Sequence, residues 1–321
     1  MGRRVGPWMG IGVAVGALLL MAFVPGVLAA GAVTKAAPAT CRVGNGPEFP
    51  GYDPVNHDIY VPNAHSGNIT VLSGKCTFVK SIRLPSGAYP VMATFDPLNN
   101  HMYVTDFALD RVYDISGTKI VKTYTGFAAP WGITFDPGFD SLVVANSHSN
   151  YVSVIGGPFL PFNLTTGTDP DFIGYDPFQG TLLVSNLGSN NVTIFNAVNL
   201  NHLADINVGV APGQIVYDPA DQTDYVANSG SNNVTLLYGY GYVAGWMTGF
   251  KVPDGMAWDQ ASLEINIANF SGGKLFTLSG SHIVDRNRTA PSSHSLGVVY
   301  DEANDDIYVA NFNSDVLYIF S

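Results

Sequence analysis

Beyond residue 33 apolar and polar positions alternate in short runs, as in Asp224-Tyr225-Val226-Ala227 and Val234-Thr235-Leu236-Leu237. β-Branched and aromatic residues are enriched and apolar residues do not recur at helical spacing, so the pattern predicts strands throughout and no helix. The runs are phased. An aromatic residue followed by Asp occurs at Tyr52-Asp53, Phe95-Asp96, Phe135-Asp136, Tyr175-Asp176, Tyr217-Asp218, Trp258-Asp259 and Tyr300-Asp301, at intervals of 43, 40, 40, 42, 41 and 42 residues. Ten positions after each Asp stand Asn63, Asp106, Asn146, Asn186, Asn228, Asn269 and Asn311, and six further on an apolar residue, from Ile69 to Leu317.

A fixed period near 41 residues marks a repeat architecture, and four short strands per unit is the size of a propeller blade. The expectation is an all-β, seven-bladed β-propeller of four-stranded antiparallel blades over residues 33–321, its repeats anchored at the seven aspartates. Strand a precedes the aromatic-Asp pair, strand b ends at the Asn, strand c begins near the apolar position and strand d follows, as at Phe78 to Ile82. Asp accepts a hydrogen bond from the backbone two residues on, and the Pro that follows it in five units pre-sets φ for a turn. The Asn is expected to take the left-handed conformation in its own turn. The chain stops at the end of a strand c, so Thr34 to Arg42 are expected to supply the missing outer strand and close the ring by pairing the two termini.

The phrases Tyr225-Val226-Ala227-Asn228-Ser229-Gly230-Ser231-Asn232-Asn233-Val234-Thr235 and Tyr308-Val309-Ala310-Asn311 resemble the YVTN-type propeller repeat of archaeal surface-layer proteins and bacterial exported proteins. The resemblance implies an extracellular propeller with a surface-layer or adhesive role. Asp106 replaces the Asn in unit two, and Pro62 in unit one predicts a weakened ladder there.

Residues 1–32 read as a signal peptide, with Arg3 and Arg4 as the basic start, Ile11 to Val24 as the apolar stretch and Ala30-Gly31-Ala32 as a cleavage site. The alternative is an uncleaved amino-terminal membrane anchor, the uncharged run from Val5 to Val33 being long enough to span. Either way the body of the protein is expected outside the cytoplasm, secreted or at the cell surface.

Composition narrows the function classes. The 321 residues carry 14 basic and 25 acidic side chains for a net charge of -11, which leaves no cationic face for nucleic acid. At 46% hydrophobic the chain is too apolar for disorder. The sequence contains no nucleophile elbow, H-E-x-x-H, phosphate loop, dinucleotide fingerprint or EF-hand. Cys41 and Cys76 invite a disulfide in an exported protein, but strand register sets them on opposite faces of the ring, about 15 Å apart for a five-residue strand. Both readings stand at this stage.

Candidate chemistry gathers where strand a begins. Pro47, Pro90, Pro130, Pro170, Pro212 and Pro253 fix that end of the blades, and the flanking positions vary while the frame does not, as on a binding surface. Glu48, Asp169, Asp171 and Asp254, with Tyr89, Trp131 and His294 around them, are the candidate ligand-binding residues at a channel mouth. The four acids offer oxygen ligands for Ca or Mg, and the layout resembles gluconolactonase-like hydrolases and antibiotic lyases in placing acids or His at a mouth. The structural alternative is a set of solvated loop residues that keep an acidic protein soluble. His65 and His148 read as solvated turn histidines. Among six N-x-S/T sequons, Asn163 and Asn287 are the glycosylation candidates, because Asn68, Asn191, Asn233 and Asn269 occupy repeat positions.

The leading expectation is an extracytoplasmic binding or structural scaffold whose partner is a cell-envelope component, a glycan or a protein at the cell surface. It has no resident cofactor and touches the membrane only through its amino-terminal segment. The alternative is a metal-assisted lactonase or lyase at the acidic mouth.

Overall fold

The computed structural model describes residues 38–157, 161–288 and 294–321. The segment read as a signal peptide or anchor, residues 1–32, lies outside them, as do Thr34 to Ala37 of the closing strand. Every regular element among the described residues is a strand, and no helix there is long and apolar enough to cross a membrane.

The strands form seven four-stranded antiparallel sheets. Blade 2 is representative, with strand a at Pro90–Asp96, b at His101–Asp106, c at Arg111–Ser116 and d at Lys119–Thr125. Strand a of each blade packs on strand a of the next, and Ser295–Asp301 of blade 7 meets Gly51–Asp53 of blade 1, so the ring closes around a central axis. Closure occurs as the repeat arithmetic requires. Ala39–Arg42 pairs antiparallel with Val316–Phe320, Cys41 opposite Leu317, and becomes the outer strand of blade 7.

Between successive blades the apolar faces meet in seven buried clusters, one per interface. Between blades 4 and 5, for instance, Leu183, Val192 and Ile194 pack against Ile215, Val226 and Leu237. Cutting one such Leu or Ile to Ala typically costs about 2–5 kcal/mol in a close-packed core.

The polar repeat residues are turn and staple chemistry. All seven corner aspartates accept a hydrogen bond from the N–H two residues on, at 2.7–3.1 Å. The expectation that the strand-b Asn is left-handed does not hold. The left-handed residues of that turn come four positions later, at Gly67, Asp110, Asn190, Asn232, Gly273 and Asp315. The Asn instead lies buried at the end of the strand as a donor to strand c. The amide of Asn228 donates to Val226 O at 3.1 Å, Asn233 Oδ1 at 3.0 Å and Thr235 Oγ1 at 2.9 Å. Blade 2 shows the logic by exception. Asp106 has no amide to donate, and the position seven residues on changes from an accepting Thr to Tyr113, whose hydroxyl donates to Asp106 at 2.7 Å.

Blade 1 is weakened between strands a and b and not in the b–c ladder, where Pro62 pairs with Ile69. Its strand a is only Gly51–Asp53, against seven residues in each other blade, although b and c pair along their full length. The start of the shortened strand bonds sideways to blade 2. The Phe49 N–H donates to Val91 O at 3.0 Å, and the Ala93 N–H donates to Phe49 O at 3.1 Å.

Cys41 and Cys76 form a disulfide with Cα atoms 5.3 Å apart, so the register argument for a separation of about 15 Å fails. That argument treats all strands as parallel to the ring axis. Neighbouring strands rotate by about 20–25°, so three steps outward an outer strand crosses the axis direction steeply. Cys41, on the outer strand of blade 7, thereby packs with Ile59 and Leu72 of blade 1, where the left-handed Cys76 turns back from the c-to-d hairpin. The bond ties the closing strand to blade 1.

Candidate functional site

Each strand a begins with a fault that builds the mouth. Pairing with strand b jumps from the first residue to the fourth in six blades, for example from Pro130↔Asn146 to Ile133↔Val144. Such a bulge bends the strand and re-aims side chains. Of the two residues inside it, one and two positions after the Pro, both line the mouth in blade 4, Asp171 and Phe172, whereas in blades 3, 5 and 6 the second lies against the next blade. At the first of these positions the ring holds Glu48, Val91, Trp131, Asp171, Gly213, Asp254 and Leu296 in blade order. At the second, Gly132 and Gly255 are required by close approach. A Cβ on either would stand 2.4 or 2.1 Å from the carbonyl oxygen of Asp171 or Leu296 on the next blade.

Phe49 and Phe172, at the second position in blades 1 and 4, meet across the axis edge to face with centroids 4.8 Å apart. Both are buried and line a cavity of about 400 Å³ that opens at the mouth. Its walls are Trp131, Asp169, Asp171 and Asp254, with Phe107 and His148 toward the opening. Phe107 stands edge-on to Trp131 at 5.5 Å and to His148 at 5.3 Å. The residue before strand a is left-handed in five blades and is not glycine in four of them, at Ala129, Asp169, Ala211 and Val252. Strain of about 1 kcal/mol each is held there.

Of the seven residues expected at the mouth, Trp131, Asp169, Asp171 and Asp254 line the cavity. Glu48, Tyr89 and His294 lie on the arc of blades 7, 1 and 2. The Tyr89 hydroxyl donates to Glu48 Oε1 at 3.1 Å, and the His294 ring packs on Phe270 at 4.4 Å and contacts the Asn313 amide. His65 and His148 are exposed as expected, yet their rings also pack on Phe312 at 4.6 Å and on Phe107. Sequence reasoning missed the phenylalanines. Phe49 and Phe172 follow the acids by one position, and Phe107, Phe270 and Phe312 follow the strand-b polar residue where blades 1, 3 and 5 have Ala64, Ser147 and Ser229. The same repeat alignment that found the acids contains both columns.

The acids are electrostatically unusual. Burial pushes Glu48 up to about 8, against the Tyr89 hydrogen bond that lowers it and with Asp254 adding to the rise. Burial lifts Asp254 to about 7. Asp171 is raised well above the carboxylate range by burial, then by Asp254 and Asp169. Asp171 and Asp254 retain some accessible surface, and both line the cavity, so the rise reflects a setting largely enclosed by protein. Among the described residues no three His, Cys, Asp or Glu side chains are grouped to hold one metal ion.

Of the glycosylation candidates, Asn163 is exposed on the outer strand of blade 3 and accepts from Ser153 Oγ at 2.9 Å. Asn287 falls on the outer strand of blade 6, opposite Leu275, and its sequon's Thr289 lies outside the described residues. Asn68, Asn191 and Asn233 accept from the strand-b amides at 2.8–3.0 Å, which gives them a structural use.

No protein-family model matches the sequence, and comparison with curated proteins finds no match. The fold matches solved structures. A catalytically inactive histidine-to-alanine variant of virginiamycin B lyase from Staphylococcus aureus, with quinupristin, superposes with a TM-score of 0.76 at 16% identity over 88% of this chain and 98% of that one. Selenomethionine-substituted virginiamycin B lyase from the same organism gives 0.76 at 15% identity over 88% and 98%. A streptogramin B lyase gives 0.76 at 12% over 88% and 96%. At these identities the likeness is one of fold: a seven-bladed propeller.

Proposed function

We propose that this chain is an extracytoplasmic binding propeller that takes a small molecule into the cavity at its channel mouth. The observation that carries the reading is the cavity itself, which combines aromatic walls, Phe49 and Phe172 in edge-to-face contact among them, with three acids. Perturbed acids in an apolar concavity are the usual mark of a ligand site rather than of a solvated loop. Export is supported by the basic start and apolar run of residues 1–32 and by the Cys41–Cys76 disulfide, which persists in an oxidising compartment. A scaffold role toward a surface glycan or envelope partner is supported by Tyr238, Tyr240, Tyr242 and Trp246, exposed together at the outer edge of blade 5. The YVTN-like repeats point to the same setting.

A second reading is a lyase or lactonase working at the same mouth. It is favoured by the fold shared with streptogramin-class lyases and by Asp254 near 7, where a carboxyl can both give and take a proton. Calcium or magnesium belongs to this reading as its metal-assisted form, although the mouth acids are not grouped to hold one ion.

The two readings separate on purified full-length protein. Thermal shift and calorimetry against a small-molecule panel, with EDTA, Ca or Mg, are expected to find a ligand whose binding is lost in Asp171→Asn/Asp254→Asn. Turnover of quinupristin, abolished in the same variant, would instead establish the enzyme. No binding and no turnover would remove the mouth from consideration and leave the rim.

A further inference from the structure

The mouth cavity is acidic without being paired. Asp169, Asp171 and Asp254 line it, and no lysine or arginine does. Among the described residues the side chains of Asp171 and Asp254 accept no hydrogen bond and have no lysine or arginine beside them; the charges acting on Asp171 are Asp254 and Asp169. Glu48, only 2% exposed, takes a hydrogen bond on Oε1 from Tyr89. The charge facing it is Asp254. The Trp131 indole N–H, shielded from solvent on a cavity-lining side chain, has no acceptor.

Buried polar and charged groups are costly unless paired. Most repeat residues with an unpaired buried atom, such as Asn63, Asp136 and Asn228, bond through their other atom, whereas no bond reaches the side chain of Asp171 or Asp254 among the described residues. At the mouth, where such groups line an open cavity, a ligand can supply the partner. A bare metal ion is a poor fit, because it needs oxygens converging at about 2.0–2.6 Å. The three acids on the inner ring belong to blades 1, 4 and 6 and are not so grouped. The cation that reaches them is therefore larger than a metal ion. Phe49, Phe172, Phe107 and Trp131 supply the other half of such a site, since the negative face of an aromatic ring attracts an organic ammonium that shuns no apolar wall. The unpaired indole N–H adds a donor for a hydroxyl or carbonyl on the same molecule.

We infer that the mouth cavity binds an organic cation, an amine or quaternary ammonium carried on a small molecule, seated on the aromatic floor with Asp171 and Asp254 as its counterions. The inference rests on the small-molecule reading of the mouth and names the ligand class. Because these acids hold their protons to unusually high pH, binding an ammonium expels protons and tightens as pH rises toward 8. The titratable groups facing the seat are Glu48, Asp169, Asp171 and Asp254 from the inner ring and its loops, Tyr89 behind Glu48, and His148 at the rim.

The test is calorimetry and tryptophan fluorescence on the full chain with choline and spermidine, against 3,3-dimethyl-1-butanol, the neutral isostere of choline, and against MgCl2 and CaCl2. Expected are binding of at least one amine, heat that varies with buffer ionisation enthalpy through proton release, and at least about tenfold weaker binding of the neutral isostere. Asp171→Asn/Asp254→Asn is expected to weaken the amine at least about tenfold without lowering the melting temperature, and Trp131→Leu to weaken it with both acids intact. Equal binding of choline and its isostere, or unchanged amine binding in the double amide variant, overturns the cation inference and leaves the small-molecule reading standing. A melting-temperature rise with Mg or Ca that depends on Asp171 and Asp254, with no response to amines, overturns it in favour of a metal. Failure of amines, isostere, metals and quinupristin alike overturns both readings.

Discussion

Asp301 and Asp254 are carboxylates at opposite ends of adjoining blades, and the protein treats them differently. Asp301, wholly buried at its corner, accepts from the N–H groups of Ala303 and Asn304 and from the Asn304 amide at 2.8 Å. Asp254, at the other end of strand a in blade 6, sits among aromatic rings and other acids with no donor. The corner end repeats one solution seven times and the mouth end repeats none. The difference teaches that burial of an acid marks function only where the donors are missing. Corner and staple residues belong to the frame, whose loss costs stability. Mouth acids are a liability to the fold that a ligand can turn into affinity.

The largest expected effect tests the frame. A disulfide closing a loop of about 35 residues contributes about 4 kcal/mol on the chain-entropy account, so Cys41→Ser/Cys76→Ser should lower the melting temperature by about 8 °C. Truncation through Val43, which removes the closing strand as well, should lower it further. Ligand binding at the mouth should survive at temperatures where the ring is folded. A fall in affinity to match the fall in stability would break the separation between frame and mouth.

Asn228→Ala is the next test. Its buried amide ties strand b to strand c, and leaving those acceptors unpaired costs about 2 kcal/mol, roughly 5 °C, with no change at the mouth. In blade 2, Asp106→Asn should lose stability unless Tyr113→Thr accompanies it, because the pair exchanges donor and acceptor. Additive losses in that double variant would refute the exchange.

These tests also mark what the sequence made legible. Blade number, strand order, corner chemistry and closure follow from a period that no insertion breaks and from Asp as a local acceptor. The disulfide was obscured because register along a strand says nothing of strand twist, and twist brings Cys76 to Cys41. At the mouth, Trp131, Asp169, Asp171 and Asp254 were visible as variable positions in a fixed frame. The bulge that brings two consecutive residues of blade 4 to the mouth was not, because it appears only as a jump in pairing, and so Phe49 and Phe172 were passed over. Glu48, Tyr89 and His294 share the alignment yet lie on the other arc, since a column in a repeat fixes height along the axis and leaves depth to the neighbours.

A pH titration sharpens the comparison from the mouth side. Carboxylates unfold to values near 4, whereas the folded protein holds Asp254 to about 7 and Glu48 to about 8, with Asp171 also well raised. Between those limits the folded state binds more protons than the unfolded state. The stability these groups contribute is therefore present in full below pH 4 and is lost as pH rises through 7 to 8. The ligand-free melting temperature should fall between pH 5 and pH 8.5, on the order of 5 °C. Burial also raises the frame acids Asp136, Asp218 and Asp224, so the mouth's share is the part of the fall that Asp171→Asn/Asp254→Asn abolishes, and a fall unchanged in that variant would mean that the mouth acids are solvated and carry no strain.

The smallest effect isolates one acid. Asp254→Asn replaces a group that is charged only at high pH with a neutral one of the same shape. At pH 5 the parent carboxyl is already protonated, so variant and parent should melt within about 1 °C of each other. At pH 8.5 the variant no longer has to ionise a carboxyl beside Asp171 and Glu48, and it should melt about 2 °C higher than the parent. The corner control runs the other way: Asp301→Asn surrenders charge-assisted bonds to two backbone N–H groups and should melt lower at both pH values. One substitution, Asp to Asn, thus has opposite signs at the two ends of the blades. If both variants are destabilised alike at pH 8.5, Asp254 is a frame residue and the distinction between the two ends is lost.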